Sequence, residues 1–123
     1  MTGRRKPKQR PAPLKAPNSE YTDEGGSKLT LRGALTPATR MKYARTLAGA
    51  SASMAETRED RWQRAVELLF ERLAVRWEIA GAPIERQQEL LARFRAASPA
   101  EREWVRATLR EHCAEHFPDV TPP

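Results

Sequence analysis

Residues 57–83 read TREDRWQRAVELLFERLAVRWEIAGAP, and the parsing of this run decides the fold. Thr57-Arg58-Glu59-Asp60 opens it with a helix-capping residue and an acid three positions on, a capping-box pattern with Asp in the place of Glu. Gly81 suits the left-handed position after a helix, and Pro83 prevents continuation. The run is therefore expected to be one helix from Thr57 to about Ala80. At about 100° per residue, Trp62, Ala65, Val66, Leu69, Leu73 and Trp77 share one broad stripe, with Phe70 at its edge. Leu68, Val75 and Ile79 make a second stripe on another side. A helix so apolar around its girth needs neighbours on two sides. The second stripe is accordingly a candidate partner interface.

Working outward, Ile84, Leu90, Leu91 and Phe94 give an inward face to a helix over about 84–97. Glu89 and Arg93 form a well-oriented i,i+4 pair outside it. Ser98-Pro99-Ala100-Glu101 combines a Ser cap, a Pro at the first position and a Glu at the third, so a helix is expected over 99–116. Upstream, Thr36-Pro37 starts a helix over 37–48 that Gly49 ends, with Met41, Ala44 and Leu47 along one face. Lys28–Arg32 alternates apolar and polar residues but is too short and isolated to assign as a strand. The expected fold is all-α: a small bundle of three core helices plus a short N-terminal helix, over 35–118. A disordered, basic, Pro-rich arm and linker over 1–34 precedes it, and a tail over 119–123 follows.

The charge is unevenly spread. Arg4, Arg5, Lys6, Lys8, Arg10 and Lys15 are uninterrupted by any acid, and they equal the net charge of +6. The remaining 108 residues hold 16 basic residues (22 − 6) and 16 acidic ones. Flexible Arg/Lys segments bind phosphates by counterion release and give affinity without sequence preference. These six residues are the candidate nucleic-acid contacts. The other reading of the arm is a solubilising tail.

The composition excludes several classes. One cysteine, Cys113, allows no internal disulfide, which fits a cytoplasmic protein. No apolar run approaches the ~20 residues of a membrane span. The excess of Arg over Lys and the abundance of Ala point to a GC-rich, bacterial genome. There is no Gly-rich phosphate loop, no G-x-S-x-G and no paired CxxC.

His112-Cys113-Ala114-Glu115-His116 is the one cluster with catalytic-looking residue types. His at i and i+4 share a helical face and are candidate metal ligands. The H-x-x-E-H spacing matches inverted zinc proteases, but no glutamate follows His116 to complete a ligand set. The plainer reading places both histidines beside Val105 and Leu109 at the edge of the core. Trp62, Trp77 and Phe94 fall at core positions, whereas Trp104 lies at the rim of its helix's apolar arc and joins the candidate partner interface. Arg102, Arg106 and Arg110 form a stripe on the last helix, interleaved with acids.

The functional expectation is a small non-enzymatic accessory protein. Its arm contacts nucleic acid non-specifically, while its helical body self-associates or docks to a protein. No catalytic residue, cofactor or membrane contact is assigned. The alternatives are a protein–protein adaptor whose tail only solubilises it, and a metal-binding helical protein using His112 and His116.

Overall fold

The computed structural model describes residues 16–49 and 56–123. Eight elements follow one another: β1 (Ser19–Thr22), β2 (Lys28–Leu31), α1 (Pro37–Ala48), α2 (Arg58–Leu73), β3 (Ala74–Ile79), β4 (Ala82–Ile84), α3 (Gln87–Arg95) and α4 (Pro99–His116). The four strands form one antiparallel sheet in the order β1-β2-β3-β4. The fold is α+β, and the sheet overturns the all-α expectation.

The error lies in the opening run. The helix does start at Thr57, whose side chain caps Asp60 N–H in a reciprocal capping box. It stops at Leu73 rather than Ala80, because Ala74 turns to extended geometry (φ −71°, ψ 127°). From there the chain is β3, which pairs Trp77 with Leu29 and Ala74 with Leu31. Val75, Trp77 and Ile79 are β-branched or aromatic and spaced two apart, a pattern that suits a strand. Projected on a helical wheel, that period-two pattern masquerades as a second apolar stripe. The Leu68–Val75–Ile79 stripe therefore does not exist as one helical face. Gly81 does have positive φ, but with Ala80 (φ 53° and 80° for Ala80 and Gly81) it makes the two-residue turn joining β3 to β4.

The N-terminal half holds the matching correction. Residues 19–31, expected within a disordered linker, form the β1–β2 hairpin, with Ser19 opposite Leu31 and Thr22 opposite Lys28. Leu29 and Leu31 are fully buried. Four-residue strands like these are stable only inside a larger sheet. Here β3 supplies the neighbour, with a bulge at Val75 where the register shifts between Thr30 and Leu31.

The remaining helix signals hold. Thr36 caps α1 and Pro37 occupies its first turn, Gly49 ends it at φ 79°, and Ser98 caps α4 with a second reciprocal box. The inner face of α1 is different from the one expected. Thr39 and Tyr43 are buried, while Met41 is 62% exposed. The expected helix over 84–97 is shorter at both ends, because Ile84 belongs to β4. Arg93 pairs with Glu101 (2.6 Å) instead of Glu89 and lies over Trp77.

The helices pack around one core. Phe70 stacks on Phe94 (centroids 4.6 Å) and meets Trp77 edge-on (5.7 Å). Leu69, Leu73, Leu90, Val105, Leu109 and Phe117 surround them with almost no exposure. Aromatic burial on this scale supplies much of the stability of a small domain. Residues 119–123 are not a loose tail: Val120 is buried, Asp119 pairs with Arg40 and the Thr121 carbonyl accepts from the Tyr43 hydroxyl.

Candidate functional site

The six arm residues, Arg4, Arg5, Lys6, Lys8, Arg10 and Lys15, lie outside the described residues. The arm's root does not. Ala16 and the Pro17 carbonyl press against Gly33, where any side chain would collide with both. Gly33 is thus a place where the absence of a Cβ lets two stretches of backbone meet.

The body neutralises itself through internal pairs. Arg40–Asp119, Arg64–Glu56, Arg76–Glu78, Arg76–Glu85, Arg93–Glu101 and Arg95–Glu67 all lie within 3.0 Å. The arginine stripe of α4 is likewise engaged. Arg102 donates to the Ala97 carbonyl (3.2 Å), and Arg106 and Arg110 both reach the Pro123 carbonyl oxygen (3.4 and 3.1 Å). Arg110 also pairs with Glu103 (3.3 Å).

His112 is the most constrained polar group in the body. It has no exposed surface, and both ring nitrogens are hydrogen-bonded at 2.7 Å. Nε2 faces the Arg32 carbonyl, which can only accept, so Nε2 carries the proton. Nδ1 then accepts from the Tyr21 hydroxyl. Burial pulls the imidazole below its ordinary value of 6.5, and the neighbouring His116 acts in the same direction. The Arg32 hydrogen bond and Glu115 oppose the shift. Burial likewise raises Tyr21 above the ordinary phenol value. The pair is therefore a neutral, directional link tying β1 and β2 to α4.

His116 is half-buried. Its ring lies 4.5 Å from that of His112, and its Nε2 is 3.4 Å from Ser19 Oγ. With both nitrogens of His112 committed, the two histidines do not present a chelating pair. Among the described residues no group of three or more His, Cys, Asp or Glu is arranged to hold a metal ion. Cys113 is fully buried, and burial pushes its thiol up to about 12, so it stays protonated and unreactive at neutral pH.

The candidate interface residues disperse. Leu68 is buried (8% exposed) within α2, Val75 sits at the bulge of β3, and Ile79 and Trp104 are half-buried and pack on the core. Trp104 also borders a shallow groove of about 460 Å³ with Thr22, Asp23 and Glu24 of the β1–β2 hairpin. Trp77 and Phe94 are core residues, but Trp62 is half-buried, with the Arg58 guanidinium over its ring at 5.2 Å. It lines a cleft of about 510 Å³ whose walls are Glu59, Asp60 and Glu67 on one side and Arg95, Arg102 and Arg106 on the other. These opposed charges are balanced, and the cleft singles out no ligand charge.

Sequence reasoning missed Tyr21 and Arg32 as the partners of His112, since they lie 91 and 80 residues away along the chain. No local signal announces such a pairing. It also missed Met41 as a surface residue, although a helix with so little apolar asymmetry gives only weak guidance about which side faces inward.

No helix of the described residues is long and apolar enough to cross a membrane. No protein-family model matches the chain, and no curated protein or solved structure shows significant similarity to it.

Proposed function

We propose that this chain is a small, non-enzymatic cytoplasmic accessory protein whose basic arm contacts nucleic acid without sequence preference. The folded body serves as the docking unit that the arm tethers. The observation that carries this reading is the segregation of charge: +6 within the first fifteen residues, beside a body of 16 basic and 16 acidic side chains. The ion pairs of that body neutralise many of its own arginines. A polyanion would therefore find its largest uncompensated attraction in the arm.

The test is a titration of labelled nucleic acid with the full chain and with a variant whose arm is neutral (Arg4→Gln, Arg5→Gln, Lys6→Gln, Lys8→Gln, Arg10→Gln, Lys15→Gln). Six engaged phosphates on duplex DNA give a slope of log K against log salt near about −5, or roughly a thousandfold loss between ~50 and ~200 mM salt. The neutral-arm variant is expected to bind more weakly, with a salt slope shallower by about 5. Equal binding by both proteins at ~50 mM salt defeats the reading.

A further inference from the structure

We infer that the outer face of α1, formed by Ala38, Met41, Lys42 and Arg45, lies against the same DNA duplex that the arm grips. This inference rests on the nucleic-acid reading above and names a second, folded contact for it.

The first observation is a gap in the acids. Between Glu24 and Glu56 the chain carries Lys28, Arg32, Arg40, Lys42 and Arg45 and no acidic residue. This stretch and the first nineteen residues are the chain's two long acid-free, basic segments, and Glu20, Asp23 and Glu24 lie between them. The overall neutrality of the body conceals a basic region around α1, balanced by acids elsewhere.

The second is availability. Arg40 turns to Asp119, but among the described residues Lys42 and Arg45 enter no ion pair, and both are exposed. Thr39 and Tyr43 face the core, so the opposite arc brings Ala38, Met41, Lys42 and Arg45 together. With Thr46 these residues line a shallow depression of about 380 Å³. Met41 is the only large hydrophobic residue that is exposed among the described residues. Lys42 also borders a smaller groove containing Glu67 and Glu71 of α2, and Glu67 is already held by Arg95 and Gln63.

The third is the place where the arm begins. Its root rests on Gly33, four residues before the first residue of α1, which is at most about 14 Å of chain. An arm and a basic helix that start so close together can bind one polyanion at a high effective concentration.

The character of the face selects the partner. One methionine among alanines is too little apolar area for membrane insertion or for the core of a protein interface. Small central side chains flanked by Lys and Arg let a helix approach a duplex, and the major groove of B-form DNA admits an α-helix. There the thioether can touch a thymine methyl while the two cations reach phosphates. The deep, narrow major groove of A-form RNA does not admit it.

The experiment uses the full chain and a labelled 20-bp DNA duplex of mixed sequence, followed by fluorescence anisotropy at several salt concentrations. Lys42→Ala/Arg45→Ala is compared with wild type and with the neutral-arm variant, and a thermal melt verifies that the double variant is folded. The expected result is a loss of roughly tenfold in affinity and a salt slope shallower by about 2, from two fewer phosphate contacts. If the neutral-arm variant loses binding while Lys42→Ala/Arg45→Ala matches wild type in affinity and slope, the inference falls and the arm reading stands. If the double variant loses binding while the neutral-arm variant does not, the arm reading falls and the α1 face stands alone. A loss just as large on an RNA duplex overturns the assignment to a B-form groove.

Discussion

α1 and α4 each carry three basic side chains: Arg40, Lys42 and Arg45 on one, Arg102, Arg106 and Arg110 on the other. In α4 every one of them is engaged, by the Ala97 carbonyl, by the Pro123 carbonyl oxygen or by Glu103. The same helix carries Glu101, Glu103, Glu111 and Glu115, and its inner face locks the N-terminal hairpin through His112. In α1 there is no acid, only Arg40 is paired among the described residues, and Met41 faces outward. A regular stripe of arginines is thus a poor sign of an anion-binding helix. In α1 the cations Lys42 and Arg45 are not spent on ion pairs among the described residues. α4 is a structural clamp and α1 an open surface, and substitutions should separate the two roles.

The largest effect is expected at His112. His112→Ala empties a fully buried side-chain position and removes the partner of the half-buried Tyr21 hydroxyl and of the Arg32 carbonyl, which costs about 2–3 kcal/mol. A urea midpoint measured for the variant checks this, and a loss below 1 kcal/mol would show that α4 does not hold the hairpin. The matching pH effect has a defined sign. The folded imidazole is pulled down by burial, so the unfolded chain takes up the proton first. The stabilisation is complete above about pH 6.5 and is lost as pH falls through the lowered folded value, at no more than about 1.4 kcal/mol per pH unit. Urea midpoints between pH 7.5 and 5 should decline for the wild type and stay flatter for His112→Gln.

Smaller effects separate the two surfaces. Arg110→Ala loses an exposed pair with Glu103 and a contact to Pro123, so its cost stays below about 1 kcal/mol and duplex affinity changes less than Lys42→Ala/Arg45→Ala does. A larger loss of affinity from Arg110→Ala would reverse the contrast. The smallest effect is Met41→Gln, which touches no core and should leave stability within about 0.5 kcal/mol by thermal melting.

Sequence reasoning read correctly what local chemistry specifies. Thr36, Thr57 and Ser98 satisfy the free N–H groups of the turns that follow them, so three helix starts are written within four residues each. Gly49 and Gly81 both announce positive φ, but only the surroundings say whether that ends a helix or turns a hairpin. The sheet was illegible for a related reason. Leu29 and Leu31 alternate with polar residues as a strand requires, yet their partners Trp77 and Ala74 lie more than forty residues away. Four residues cannot declare so distant a neighbour. The apolar environment of His112 was legible from Val105 and Leu109 on its helix, whereas Tyr21 and Arg32 reach it only through the sheet.

The bond between Tyr21 and His112 also sets a schedule. During synthesis the β1–β2 hairpin leaves the ribosome first, but β3 must follow before Leu29 and Leu31 are covered, and α4 must follow before Tyr21 finds its acceptor 91 residues later. At roughly 5–20 residues per second that interval is on the order of 5–20 s. Until β3 emerges, β2 lacks its second neighbour, and until α4 follows, the Tyr21 hydroxyl lacks its acceptor.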